Sequence, residues 1–154
     1  MLTVETYTAP DSFGGVGLFS RNFIKKGTII WEYNPIFDRF YTLEDYKNFD
    51  QAFNEHKYTY PARINGVDCV GLSMDNDRYT NHSETPNIGH IYLQDSPDSP
   101  SIEDVRFYPE IALTDILPNT ELTADYRRFF LPGMRAENYK NINTGLLFLF
   151  ETLV

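Results

Sequence analysis

A mainly β fold of several small sheets with one helical insert is the expectation for this chain of 154 residues. Three observations predict it. Short runs of β-branched and aromatic residues alternate with Gly, Pro, Asn and Asp turns through most of the sequence. A single segment, Thr42 to Phe53, changes to helical spacing. The pair Asn65-Gly66 then separates two strand-like runs by the two residues that a tight hairpin prefers.

In chain order, Thr3 to Thr8 reads as a strand, followed by turns at Pro10-Asp11 and Gly14-Gly15. Val16 to Phe19 and Thr28 to Tyr33 are the next strands, divided by a turn at Lys26-Gly27. Leu43, Tyr46, Phe49 and Phe53 recur at helical intervals, with Thr42 as N-cap over Glu44 and Asp45. Tyr58 to Ile64 and Val67 to Leu72 flank the Asn65-Gly66 turn. Further strands are expected at Ile88 to Leu93 and Val105 to Leu113. The Pro, Ser and Asp content around 94–104 marks a mobile surface loop. Gly145 to Phe150 is apolar, too short to span a bilayer, and reads as a strand or a docked turn. No repeat or composition shift divides the chain, so one domain over 1–154 is expected.

Composition narrows the function classes. The hydrophobic fraction is 42% and the aromatic fraction 16%, with 11 Tyr and 12 Phe, enough for a sizeable core. A formal charge of −9 and a pI near 4.7 argue against direct binding of nucleic acid, which needs a basic footprint, and suit a basic protein tail. Acidity that serves only solubility explains the same numbers equally well. With one cysteine, Cys69, an intramolecular disulfide and a Cys-rich zinc site are both excluded, and a reducing compartment fits. The first residues lack a basic segment followed by an apolar one, so an intracellular location, cytoplasmic or nuclear, is expected, with no membrane partner.

Three segments carry the chemistry. Gly14-Gly15-Val16-Gly17 lacks the dinucleotide-binding spacing; it serves either a turn or a close approach of backbone groups to a ligand. Arg78-Tyr79-Thr80-Asn81-His82-Ser83-Glu84-Thr85-Pro86-Asn87 places side-chain amides around an imidazole and a proline. Glu121-Leu122-Thr123-Ala124-Asp125-Tyr126 ends on a tyrosine that is either core or site. The acidic pair Glu121 and Asp125 reads as structural hydrogen-bond acceptors.

In this order the three segments resemble the signature motifs of SET-domain protein lysine methyltransferases. Arg78, Asn81, His82, Ser83, Pro86 and Asn87 match the family's second motif, with Tyr79 in place of Phe and Glu84 in place of Cys. Leu122, Thr123, Asp125 and Tyr126 match its third, with Ala124 where Tyr or Phe is common. The resemblance covers roughly Thr3 to Phe130 and looks most like a short stand-alone, microbial or viral-type member.

It implies a β-clip-like fold of small sheets around a knot-like C-terminal core, with 38–62 as a variable helical insert and 127–154 in place of a zinc-bearing module. It implies S-adenosylmethionine as cofactor, with S-adenosylhomocysteine as product and no metal. Gly14, Gly15, Val16, Gly17, Asn81 and His82 would bind the cofactor, with Asn81 at its amino-acid end and the His82 backbone at its adenine. Tyr126 would line the transfer site. Phe129 and Phe130 either close the cofactor pocket and the lysine channel or belong to the core. The Ala124 position influences how many methyl groups fit. The expected partner is a lysine-bearing protein or peptide, a histone-like tail being one candidate, and a homodimer is a further expectation. Two other readings stay open: a catalytically silent SET-fold binding module, and transfer to a small non-lysine amine.

Overall fold

The computed structural model describes residues 1–12, 14–42, 44–45, 48, 60–90 and 105–126. The fold is mainly β, and the described residues form four small sheets. The first pairs β1 (Thr6–Pro10) with β2 (Val16–Ser20) antiparallel, from Thr6 opposite Ser20 to Pro10 opposite Val16. Pro10 has no N–H to donate, and it sits at the end of a two-stranded edge, where that costs little.

The second sheet has the order β3 (Ile29–Trp31), β9 (Glu110–Ala112), β8 (Ile88–His90), and the third the order β4 (Asp38–Thr42), β6 (Val67–Ser73), β5 (Tyr60–Ile64). Both are antiparallel. The turn between β5 and β6 has φ of 51° at Asn65 and 76° at Gly66, the doubly left-handed geometry for which an Asn-Gly pair is suited. Thr42 caps as expected, its Oγ1 accepting from the Asp45 N–H at 3.0 Å, with Glu44 and Asp45 helical behind it. The rest of the expected helix, the 94–104 loop and the Gly145 to Phe150 segment lie outside the described residues.

Two expectations need correction. Val105–Phe107 is a short 3₁₀ turn, and the strand starts only at Glu110. Pro109, which lacks an N–H, stands between them and cannot extend the ladder. Asp38–Thr42 pairs with β6 as a strand, a role that its Asp-Arg opening hid.

The fourth sheet organises the molecule. It joins β7 (Asn81–His82) to β10 (Thr123–Ala124) in parallel, Thr123 opposite Asn81 and Ala124 opposite His82. Segment 121–124 is held from the other side by β2: Phe19 bridges Glu121, and the Leu122 N–H donates to the Leu18 carbonyl at 2.7 Å. Leu18 and Leu122 are each 0% exposed, packed with Ile24, Ile30, Ile88, Ala112, Ile116 and Ala124 in the main core. Burying each such aliphatic side chain contributes roughly 1.5–3 kcal/mol.

Asn87 fastens this crossing. Its Nδ2 donates to the Glu121 carbonyl at 2.7 Å, and its Oδ1 accepts from the Thr123 N–H at 2.9 Å. Its backbone N–H donates to the Thr123 carbonyl at 3.1 Å, and its own carbonyl accepts from Leu113 at 2.8 Å, tying the crossing to the end of β9. Replacing Asn87 by Ala strands one donor and one acceptor of segment 121–123. Urea unfolding should register a loss of roughly 2–3 kcal/mol. Asn87→Asp, which keeps the acceptor only, should fall between Ala and wild type; an Ala variant as stable as wild type would remove Asn87 from this role.

Candidate active site

The crossing brings the three sequence segments to one place. At its head the chain turns at Asp11, whose Oδ1 accepts the Gly15 N–H at 2.8 Å while its N–H donates to the Gly15 carbonyl at 3.1 Å. Gly14 has φ +87°, a left-handed conformation that disfavours any side chain there, and a Cβ built on it meets nothing within 4 Å. Gly17 is glycine for a different reason. A Cβ there would lie 2.4 Å from Glu121 Oε1 and 3.0 Å from its Cδ. The missing side chain therefore admits the Glu121 carboxylate, a use of the glycine that sequence reasoning did not anticipate.

Asn81 is the hub. Its Nδ2 faces Glu121 Oε1 at 2.8 Å, Asp11 Oδ2 at 3.0 Å and the Val16 carbonyl at 3.3 Å. Three acceptors around one nitrogen fix which end of the amide is the NH₂. Val16 enters the site through its backbone, its side chain being exposed. Among the described residues Asn81 Oδ1 has no hydrogen-bond partner, so the amide presents a free acceptor beside an acidic pair.

His82 follows Asn81 on β7. Its Nδ1 accepts from the Tyr126 N–H at 3.1 Å, which assigns the ring N–H to Nε2. Asp125 Oδ1 lies 3.9 Å from the same Nδ1, and the His82 and Tyr126 rings sit 5.5 Å apart at 48°. The Tyr126 hydroxyl donates to the Thr80 carbonyl at 2.5 Å. Burial pushes its pKa well above the ordinary tyrosine value, and the charges of Asp77, Glu110 and Glu121 push in the same direction. Tyr126 is thus a protonated donor and not a base at neutral pH.

Arg78, three positions before Asn81, has its Nε buried without a hydrogen-bond partner among the described residues. Ala124 is 1% exposed and packs in the core with Ile88 and Leu122, while Glu84, where Cys is usual, is exposed and displaces nothing buried. Phe129 and Phe130 lie outside the described residues. The long-range contacts of Asp11 and Asn87 were missed by the sequence reading. Asp11 looked like an ordinary turn former, and Asn87 was noted only as part of a motif.

Behind Tyr126 lies a desolvated acid–base group. His90 Nδ1 bonds the Tyr108 carbonyl at 2.8 Å and its Nε2 lies 3.6 Å from Glu110 Oε1. Burial lowers His90 to about 4 and raises Glu110 to about 7, so this contact favours two uncharged groups and is no ordinary ion pair. Burial also holds Asp77 well above the usual carboxylate range, with Glu110 and Asp75 adding to the effect. Among the described residues no set of three His, Cys, Asp or Glu side chains could hold a metal ion.

The comparisons with known proteins agree with this geometry. The SET-domain family model matches residues 15–127, and the chain belongs to that family. Histone-lysine N-methyltransferase SETMAR from Bos taurus is 30% identical over 142 residues, covering 86% of this chain. The chain spans 44% of that relative's length. Among solved structures, a Plasmodium falciparum chain assigned as a histone methyltransferase superposes with a TM-score of 0.52, covering 81% of this chain and 95% of its own. Its identity of 20% makes that likeness one of fold.

The two buried groups have opposite linkage to pH. Glu110, raised in the folded state, contributes stability that is present below pH 4.5 and lost as pH rises through about 7. His90, lowered in the folded state, contributes stability that is present above pH 6.5 and lost as pH falls towards about 4. Between those limits the slopes oppose each other. Glu110→Gln should unmask His90, so that the unfolding free energy from urea titration rises with pH from 4 to 6.5 more steeply than in wild type, by roughly 2–3 kcal/mol over the interval. Identical slopes in the two proteins would contradict the assignment.

Proposed function

We propose that this chain is a protein-lysine N-methyltransferase that uses S-adenosylmethionine and releases S-adenosylhomocysteine. The observation that carries the reading is the parallel β7–β10 pairing, which holds the Asn81 amide beside the glycine segment and the neighbouring His82 ring against Tyr126, two residues past the end of β10. Family membership and the named relative support it.

The residues suit this cofactor. Its amino-acid end carries an ammonium, for which Asn81 Oδ1 would be the acceptor. The open space at Gly14 and the Gly15 and Val16 backbone would lie against the nucleoside, with the His82 backbone at the adenine. Phe129 and Phe130 would close the pocket and the lysine channel.

When bound, S-adenosylmethionine supplies a methyl group made electrophilic by a sulfonium. Tyr126 then acts by position and charge. Its hydroxyl donates to the Thr80 carbonyl, and its oxygen would accept from the lysine amine or from the polarised methyl hydrogens. A buried channel disfavours the lysine ammonium and so favours the neutral amine that attacks. The cofactor would supply the methyl group to the amine lone pair, its sulfur keeping the electrons of the C–S bond, and the surplus amine proton would pass to solvent.

The proposal extends to the whole chain as one SET domain, 1–154, with 38–62 as its insert; 94–104 and 127–154 lie outside the described residues. The substrate would be a basic, lysine-bearing protein or peptide, added as a strand on a sheet edge. A formal charge of −9 suits such a partner. An intracellular site of action goes with this reading.

Calorimetric titration with S-adenosylmethionine, together with radiolabel transfer to histones and a mixed lysate, tests it. Tyr126→Phe should lower transfer at least tenfold with little change in cofactor affinity, and Asn81→Ala should weaken cofactor binding about tenfold. Equal turnover in Tyr126→Phe would remove Tyr126 from the mechanism. Binding without any transfer would favour a silent binding module.

A further inference from the structure

Asp11 lies four residues ahead of Gly15, outside every motif, yet its two carboxylate oxygens do separate things. Oδ1 closes the turn by accepting the Gly15 N–H at 2.8 Å. Oδ2 crosses 70 positions of sequence to accept from Asn81 Nδ2 at 3.0 Å. A turn needs only the first of these bonds, and a serine hydroxyl would make it too, more weakly.

The second bond has a directional consequence. Glu121 Oε1 accepts from the same Nδ2 at 2.8 Å, so two carboxylates draw the NH₂ end of Asn81 to one side. The amide is planar, and Oδ1 is thereby turned away from both. Without that pull the two ends of an amide are nearly equivalent in shape, and either could occupy either side. Only one orientation offers an acceptor to a cation.

We infer that Asp11 is a positioning residue of the cofactor site: with Glu121 it locks the Asn81 amide so that Oδ1 accepts from the α-ammonium at the amino-acid end of the cofactor. This inference rests on the S-adenosylmethionine reading above. The close fit at the glycines belongs to the same device. A Cβ at Gly15 would fall 2.9 Å from Asp11 Oδ2, and one at Gly17 would fall 2.4 Å from Glu121 Oε1. The glycine segment therefore makes room for both carboxylates of the lock.

The test compares ligands that have and lack the amino-acid end. Asp11→Asn is nearly isosteric; its Oδ1 still closes the turn, but its NH₂ replaces Oδ2 and sets a donor against a donor. Asp11→Ser keeps the turn through its hydroxyl and is too short to reach Asn81. Thermal midpoints of both variants check the fold, and the serine variant carries the test if the other fails to fold.

In calorimetry, both variants should bind S-adenosylmethionine and S-adenosylhomocysteine about tenfold more weakly than wild type, while 5′-methylthioadenosine, which lacks the ammonium, binds within twofold. Unchanged S-adenosylmethionine affinity overturns the inference, and so does an equal loss for methylthioadenosine, which would make Asp11 a support of the glycine turn alone. Wild-type protein that binds none of the three ligands overturns the cofactor reading itself, and the inference with it.

Discussion

The parallel pairing of Asn81–His82 with Thr123–Ala124 is the constraint on which the rest of the molecule depends. Two strands of two residues each have too little ladder to persist by themselves. They persist because Leu122, next to this pair, is fully buried against Leu18 and its N–H is bonded to the Leu18 carbonyl, while Asn87 satisfies the backbone on the other side. Segment 121–124 thus lies between two parts of the chain that are distant in sequence, and removing either neighbour exposes polar backbone groups in a buried place. The site is assembled by the same contacts. Asn81 meets Glu121, and His82 meets the Tyr126 N–H, only because this short sheet is in register.

Charge is used sparingly but decisively around that crossing. Asp11 and Glu121 both address the Asn81 amide on the glycine-segment side, where the Gly15 and Gly17 backbone leaves room for them. On the other side, burial keeps the Tyr126 phenol protonated, and the nearby Asp77 and Glu110 act in the same direction. One neighbourhood orients an amide, and the other keeps a hydroxyl as a donor. The first effect comes from carboxylates bonded to the amide, and the second chiefly from burial.

The local signals in the sequence were reliable where one residue type answers one local need. Asn65-Gly66 demanded left-handed backbone and got it, and Thr42 had an N–H to cap at Asp45. The mainly β class and the order of most strands followed from such punctuation. Where a residue's role depends on a partner far along the chain, the sequence was silent. Glu121 read as a generic structural acidic residue, and nothing local ties it to Gly17 or Asn81. Asp11 carried a turn signal that was correct and incomplete. Val105 to Phe107 had strand-like composition, but the proline at 109 cut it from the ladder. The crossing itself has no periodicity to read; only the motif resemblance pointed to it.

Amide hydrogen exchange of the ligand-free protein tests the central claim most directly, because the crossing holds specific N–H groups in bonds to distant parts of the chain. The Leu122, Thr123, Ser83 and Asn87 amides bond Leu18, Asn87 and segment 123–124. The account predicts that these four exchange at similar, slow rates with the Ala112 amide of the central sheet, as one cooperative unit. Rapid exchange at Ser83, Asn87 and Thr123 beside a protected Ala112 would contradict it, showing a crossing that forms apart from the core.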